Sequence, residues 1–316
     1  MCKLKKVFVL TMSLFLFSAV YGCGLSYTVK DPTPSALAYT ESAPVDVDLK
    51  VADGRTAEDK PISVGRISVE LKNMDNEMSF LAGNLITELA SRGIALQASD
   101  AEDSDLMLLV KKYRIRNHRS TGWSPFQTAT TFSADFTGNG ETKKIAFYFR
   151  IGKVPIWSMK EVEEPCYNLP VSLMIKEVAT KINRLYFGLV MPTEKVDALV
   201  QEIEGSEDNY LFLKVMELGY TNNPAAVGPL CSLVDHDDDY VKVAAICALG
   251  MLGAVDQFEF LKQIYNDRDK DEKLMALKSI GDLGTTDAIE FVQSVKNSPE
   301  YEHHRIKEVV DLYLGG

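Results

Sequence analysis

The hydrophobic positions of this chain keep two rhythms, one after the other. Val45, Val47, Leu49 and Val51 alternate with Asp46, Asp48 and Lys50, the period of a strand with one buried face. Asp53-Gly54 makes a turn, and a second strand is predicted over 66–72, with Ile67, Val69 and Leu71 on one side. A short strand over 94–96 and a long one over 105–116 come next. The segments 127–136 and 143–151 are joined through Gly138-Asn139-Gly140, a hairpin signal, because a tight two-residue turn needs the positive φ that Asn and Gly accept. Between these strands the period changes to that of a helix. Over 78–92, Leu81, Leu85 and Leu89 stack, with Ala82 and Ile86 beside them, and Gly93 ends the run. A second long helix is predicted over 168–187, with Pro170 in its first turn, where a missing N–H costs nothing. A connecting helix follows over 193–203.

Beyond residue 204 the pattern is helical throughout, and it repeats. Leu252-Gly253, Leu283-Gly284 and Leu314-Gly315 are spaced by 31 residues, and a further copy, Leu218-Gly219, stands 34 earlier. Ala245 and Ala248 return as Ala276 and Ser279. Phe258, Leu261 and Ile264 return as Ile289, Val292 and Val295, and are preceded 31 residues earlier by Val227, Leu230 and Leu233. On this phasing, three extra residues fall within 220–226. A period of this length means stacked helix pairs, each unit a helix, a Gly-containing turn and a second helix. Gly250, which costs about 1 kcal/mol in a helix relative to Ala, is expected at a close approach of two helices, with Gly253 as the helix C-cap. Asp237, Asp238 and Asp239, and later Asp269 and Asp271, precede the first helices as caps and first-turn carboxylates. The last Leu-Gly would close the first helix of a fourth unit.

The stretch from Val241 to Gly253 after its Asp run, extended by Phe258 to Leu261, resembles the short HEAT-like repeat family named after phycobilisome lyases. The resemblance covers about 110 residues and is clearest over 240–265 and 271–296. It implies an α-solenoid used for protein contacts; the repeat itself is not catalytic. Leu211 and Lys214, and Lys307 and Val310, depart from the small-residue pattern, as end units do. The middle of the chain, with Val-Ala-Asp-Gly-Arg at 51–55 and Gly93-Ile94 after its first helix, is similar to the small α/β domains of YajG and LptE-like periplasmic lipoproteins, which carry no catalytic motif.

The N-terminus adds an address. Three lysines within 1–6 precede an apolar run over 7–20, too short for an ordinary span, and the run meets Val20-Tyr21-Gly22-Cys23. This resembles a bacterial lipobox, in which Cys23 is lipidated and becomes the first mature residue. Gly24, rather than Asp, after it implies the periplasmic face of an outer membrane, with surface exposure as a variant. Acyl chains anchor firmly because each buried methylene contributes about 0.8 kcal/mol. Residues 26–44, rich in Pro, Ser and Ala, read as a tether whose span is about 25 Å on average and about 70 Å at most. The expected organisation is therefore a signal peptide over 1–22, a lipidated tether over 23–44, an α/β domain over 45–204 and a HEAT-like domain over 205–316. The fold class is α+β: a small α/β sandwich followed by an all-α solenoid.

Charge narrows the partners. The net charge is −11, and 205–316 holds 10 Lys and Arg against 20 Asp and Glu, so most of the acidity lies on the repeats. Nucleic acid, which wants a basic face, is excluded as the partner. Cys166, Cys231 and Cys247 have no metal-ligand spacing, and the last two fall on helical positions as small apolar residues. The run from Asp235 to Asp239 lacks the Gly and the distal Glu of a calcium loop, and His303-His304 lacks zinc spacing. Candidate partner-binding residues are Lys112, Arg114 and Arg116, on one face of the long strand, and Trp123 in a Gly-Trp-Ser-Pro loop. No Ser/His/Asp order, P-loop or GxGxxG is present. No metal, no cofactor and no enzyme activity are expected. The expected function is a lipid-anchored scaffold or accessory subunit binding other envelope proteins; the alternative is a carrier of a lipid or other hydrophobic ligand between sheet and helices.

Overall fold

The computed structural model describes residues 25–39, 47–67, 69–268 and 270–315. The predicted leader, the lipobox with Cys23, the end of the predicted tether and Asp269 lie outside the described residues.

The first part is a six-stranded mixed sheet with a separate parallel pair of strands beside it. Its strands are β1 (Leu25–Thr28), β2 (Val47–Asp53), β3 (Ser63–Gly65), β4 (Val69–Lys72), β5 (Leu96–Ala98), β6 (Leu106–His118), β7 (Phe126–Gly138) and β8 (Glu141–Lys153). The main sheet runs β5-β2-β6-β7-β8, and β3 adds to the same edge of β6 beyond β2. β2, β3 and β5 pair in parallel; β6, β7 and β8 are antiparallel. The β7–β8 turn takes positive φ at Asn139 and Gly140, the primed turn that matches the strand twist. In β6 the register shifts between Val110 and Lys112, so Lys111 is the extra residue and the alternation restarts after it.

The segment read as a tether is different. Leu25–Thr28 forms β1, parallel to β4, and Tyr27, Val29, Leu37 and Tyr39 are buried in the core. Leu25, Tyr27 and Val29 alternate with polar residues, a strand pattern too short to stand out beside the neighbouring prolines. The chain is thus packed from two residues after Cys23.

Two helices cover one face of the sheet: α1 (Glu77–Ser91) against β2 and β5, and α2 (Leu169–Ile182) against β7 and β8. Val171, Met174, Ile175, Val178 and Ile182 of α2 are wholly buried, so its apolar stripe fills the space above the strands. Then come α3 (Thr193–Glu204), α4 (Leu211–Tyr220), α5 (Val227–Leu233), α6 (Asp239–Leu252), α7 (Phe258–Asp267), α8 (Lys270–Leu283), α9 (Thr286–Lys296) and α10 (His304–Leu314). α4, α6, α8 and α10 are the first helices of successive units and stack on one another; α5, α7 and α9 are the second helices.

The repeat has one period. Its left-handed turn residues are Asn222 (φ 55°), Gly253 (65°), Gly284 (66°) and Gly315 (75°), which are 31 apart throughout. Gly219 instead matches Gly250 and Gly281, again 31 apart. A Cβ on Gly219 would lie 2.9 Å from the Ala248 Cα, and one on Gly250 2.6 Å from the Ser279 Cα. The 34-residue step and the three-residue insertion are therefore corrected: Leu218-Gly219 occupies the close-packing position, and Asn222 stands where later units have glycine. Asn is among the few non-glycine residues that visit the left-handed region readily, which hid the true phase.

The repeats wrap around the β8 edge. α4 and α6 contact α2, α8 contacts β8, and α10 crosses β8 and β7. Cross-strand register puts Lys112, Arg114 and Arg116 on the same face as Ser133, Thr131 and Ala129 and as Ala146, Tyr148 and Arg150. Tyr113, Ile115, Phe132 and Phe147 lie on the other, under α1 and α2. Hence β7 is buried on both faces from Thr128 to Ala134. The first helices, caught between sheet and second helices, are buried nearly all round, as in α6 from Ala244 to Met251. α7, outermost, buries only Leu261, Ile264 and Tyr265.

Candidate functional site

The junction between the sheet part and the repeats is charged and buried. From α2, Lys181 Nζ donates to Glu177 Oε1, to Asp282 Oδ1 and to the Ala146 carbonyl, each at 2.6 Å. From α8, Lys278 donates to the same Glu177 and lies 2.7 Å from Asp282 Oδ2, an ion pair without hydrogen-bond alignment. The Tyr313 hydroxyl of α10 reaches the Lys278 carbonyl (2.7 Å) and Asp282 Oδ1 (2.8 Å). All four charged side chains are at most 1% exposed. Two cations meet two carboxylates, which is the condition for burying charge at all. Burial works against the Asp282 carboxylate, but the charges of Lys181 and Lys278 outweigh it and hold its pKa below the ordinary value. Cys247 sits in this cluster with its thiol pushed up to about 12 by burial, so it is a packing residue and not a nucleophile. Cys166 is buried and Cys231 half-buried.

A second lock lies one repeat earlier. Arg92, fully buried at the end of α1, donates to Glu88, Thr180 and the Lys176 carbonyl, and its guanidinium stands 5.2 Å from the Tyr220 ring centroid. The Tyr39 hydroxyl donates to the Tyr220 carbonyl at 3.1 Å. The N-terminal segment, both sheet-covering helices and the first repeat helix are thereby joined.

Where α10 begins, over the basic face of the sheet, a cleft of about 720 Å³ opens. Arg66, Arg116, Arg150, Arg305, His118, His303, His304 and Tyr148 line it, and no carboxylate does. Three of the four histidines of the chain are here, and the rings of His303 and His304 stack at 5.0 Å. Burial and the nearby charges of Arg116, His303 and Arg150 hold the His304 imidazole below its ordinary pKa, the response of a base in a positive field.

The sequence-predicted residues fall on and around this cleft. The restart after the β6 bulge does put Lys112, Arg114 and Arg116 on one face. Arg114 donates to Asp59 Oδ1 (2.9 Å) and the Glu58 carbonyl (2.8 Å), and Arg116 donates to Glu308 Oε2 of α10 (2.7 Å). Burial pushes the Glu308 carboxyl up, against the charges of Arg116, Lys112 and Arg114. Much of the strip thus faces the last repeat helix of its own chain. Trp123 is 91% exposed, in the β6–β7 loop. Trp157, 82% exposed, follows β8; since Phe126 pairs with Lys153, both tryptophans leave the same end of the sheet. That end also carries the start of the described chain: the Tyr27 ring lies tilted against Tyr167, which packs against Phe126.

The run from Asp235 to Asp239 caps α6, with Asp238 Oδ1 accepting from the Tyr240 and Val241 amides. Among the described residues no group of His, Cys, Asp and Glu is arranged to hold a metal ion, and no helix is long and apolar enough to cross a membrane. Reading the sequence alone missed Arg66, Arg150, Arg305 and Tyr148, which lie on three separated segments, Tyr148 and Arg150 sharing β8. It also missed an aromatic run at the outer rim: Phe212 lies 6.2 Å from Tyr210 and 5.7 Å from Tyr240, centroid to centroid, and both tyrosines are more than half exposed.

Comparison with known proteins supports the repeats. The family described as HEAT repeats matches residues 196–273. No curated protein matches the chain. A solved structure described as "Crystal structure of uncharacterized protein" aligns over 51% of this chain and 96% of its own, with 9% identity and a TM-score of 0.28, too low to carry an argument. HEAT repeats generally mediate contacts between proteins, which is the coarse function they indicate here.

Proposed function

We propose that this protein is a lipid-anchored, non-enzymatic scaffold of the bacterial cell envelope, held by Cys23 on the periplasmic face of an outer membrane, with its repeats presented to other envelope proteins. The observation that carries the scaffold reading is which surface is left free. The sheet–helix space is filled by α2, and the first-helix layer of the repeats is occupied by α2, β7 and β8 of the same chain. The second helices and the acidic rim around Tyr210 and Tyr240 stay open, and exposed aromatic residues are the usual anchors of protein interfaces. The filled sheet–helix space disfavours a hydrophobic carrier. The apolar cleft lined by Val200, Ile203, Leu218 and Leu233 is about 100 Å³ and lies between α3, α4 and α5, too small for a lipid chain.

The anchor rests on the lipobox resemblance. The end of the sheet nearest Leu25 also presents Trp123, Val154 and Trp157. The loops 118–125 and 152–160 carry Arg119, Lys153 and Lys160 and no carboxylate, before Glu161 follows. Exposed tryptophan beside cations suits a membrane–water interface. Fractionation of Cys23→Ala tests the anchor: release from the membrane fraction is expected, and unchanged fractionation overturns it. Co-purification of the anchored protein with and without Tyr210→Ser and Tyr240→Ser tests the scaffold. Partner proteins lost from the double variant support it; recovery of lipid and no protein refutes it.

A further inference from the structure

The cleft at the start of α10 has more positive charge than its own chain neutralises. Arg116 pairs with Glu308, while Arg150 and Arg305 share the single carboxylate of Asp271. Arg66 is exposed and has no ion-pair partner among the described residues. Four guanidinium groups are thus met by two carboxylates, a surplus of two charges before any histidine is protonated. In a chain of net charge −11 this concentration is local and built by three parts of the fold: the β3–β4 connection, the basic face of the sheet and the first turn of the last repeat helix.

A second observation is independent of charge. Tyr148 lines the cleft, is only 3% exposed, and its hydroxyl has no hydrogen-bond partner. Arg305 acts on it by charge and as a loosely aligned side-chain donor, which leaves the phenol's own O–H without an acceptor. The Arg305 Nε is likewise buried without an acceptor. A buried donor left unsatisfied is costly, and here two of them lie side by side at the floor of a positive cleft. What both lack is an acceptor, and what the guanidinium groups lack is an anion.

We propose that this cleft binds a phosphate-bearing ligand. Its dianionic group is held by Arg66, Arg150 and Arg305, and the Tyr148 hydroxyl donates to one of its oxygens. Phosphate fits better than a single carboxylate because two surplus charges match a dianion and planar guanidinium forks pair with phosphate oxygens two at a time. The volume, within the usual range for small-molecule sites, is far larger than the anion alone, so the ligand has a body as well as a headgroup. The shared chemistry is a phosphate ester, supplied either by a membrane lipid headgroup or by a soluble phosphorylated compound.

Titration calorimetry of the full chain in neutral detergent tests this, with inorganic pyrophosphate, glycerol 3-phosphate and dihexanoyl phosphatidic acid as probes and sulfate as the control. Saturable binding of at least one phosphate probe, tighter than sulfate, is expected. Arg66→Ala is expected to weaken it about tenfold or more, the loss of a charged hydrogen bond, and Tyr148→Phe about fivefold. Both should leave the unliganded thermal midpoint nearly in place, since Arg66 is exposed and the Tyr148 O–H donates to no acceptor. Binding of phosphatidic acid well above glycerol 3-phosphate assigns the ligand to the lipid surface; the reverse order assigns a soluble ester. Either order supports the site. Binding of no phosphate probe, or binding that both variants leave unchanged, overturns it.

Discussion

Removing the positive charge of Lys278 while keeping its length tests whether the junction is held by balanced charge. In Lys278→Met, Glu177 and Asp282 keep Lys181 as their one ion-pair partner among the described residues, with Arg184 acting on both only through its charge, so one wholly buried carboxylate loses its direct counter-charge. Breaking a buried pair from one side costs about 3–5 kcal/mol, against at most about 1 kcal/mol for an exposed pair. For a chain of this size that lowers the thermal midpoint by roughly 6–15 °C. The second variant separates charge from packing. Lys278→Met combined with Glu177→Gln leaves Lys181 against Asp282, neutral again, and should recover at least half of the loss. Urea unfolding followed by far-ultraviolet circular dichroism reads both. A single-variant loss below about 1 kcal/mol, or a double variant no better than the sum of its parts, refutes the charge argument.

Acid gives an orthogonal view: the folded pKa of Asp282 lies below its ordinary value, so its contribution to stability is complete above that value and is lost as pH falls through the folded one. In Lys278→Met one of the cations holding it down is gone, so the acid unfolding midpoint should move to higher pH. Gly250→Ala puts a Cβ 2.6 Å from the Ser279 Cα and should cost about 1–3 kcal/mol, whereas Gly83→Ala, in open space on α1, should gain about 0.5–1 kcal/mol by equilibrium unfolding. Gly284→Ala tests backbone strain alone, since nothing crowds that position; about 1–2 kcal/mol should be lost, and Gly284→Asn should lose less than half as much.

Most of the elements were legible because each carries its own period. The β7–β8 hairpin was marked by Asn139-Gly140, α1 by the stack Leu81, Leu85 and Leu89, and the repeats by their spacing. What failed was local ambiguity. Leu218-Gly219 looked like the later Leu-Gly turns because the same dipeptide serves two purposes, close helix packing at Gly219 and a left-handed turn at Gly253. Tyr27 and Val29 were lost among prolines because three alternating residues are too few to register. Of the cleft, only Arg116 was legible. Arg66, Tyr148, Arg150 and Arg305 become neighbours only when the last repeat helix folds back over the sheet, and that depends on Lys181 and Lys278 meeting the same two carboxylates from helices about a hundred residues apart.

A free stack of helix pairs behaves as a spring: each joint flexes a little, and the curve opens or closes under load. Here the inner side of the curve is fastened to a plate, by Arg92 against the Tyr220 ring at the first joint, by the Glu177, Lys181, Lys278 and Asp282 cluster at the next, and by Arg116 with Glu308 at the last. Tension on the outer rim therefore passes to the sheet without stretching the coil. The protein is built as a stiff strut rather than an elastic one, able to hold whatever grips its rim at a fixed distance from the other end of the molecule.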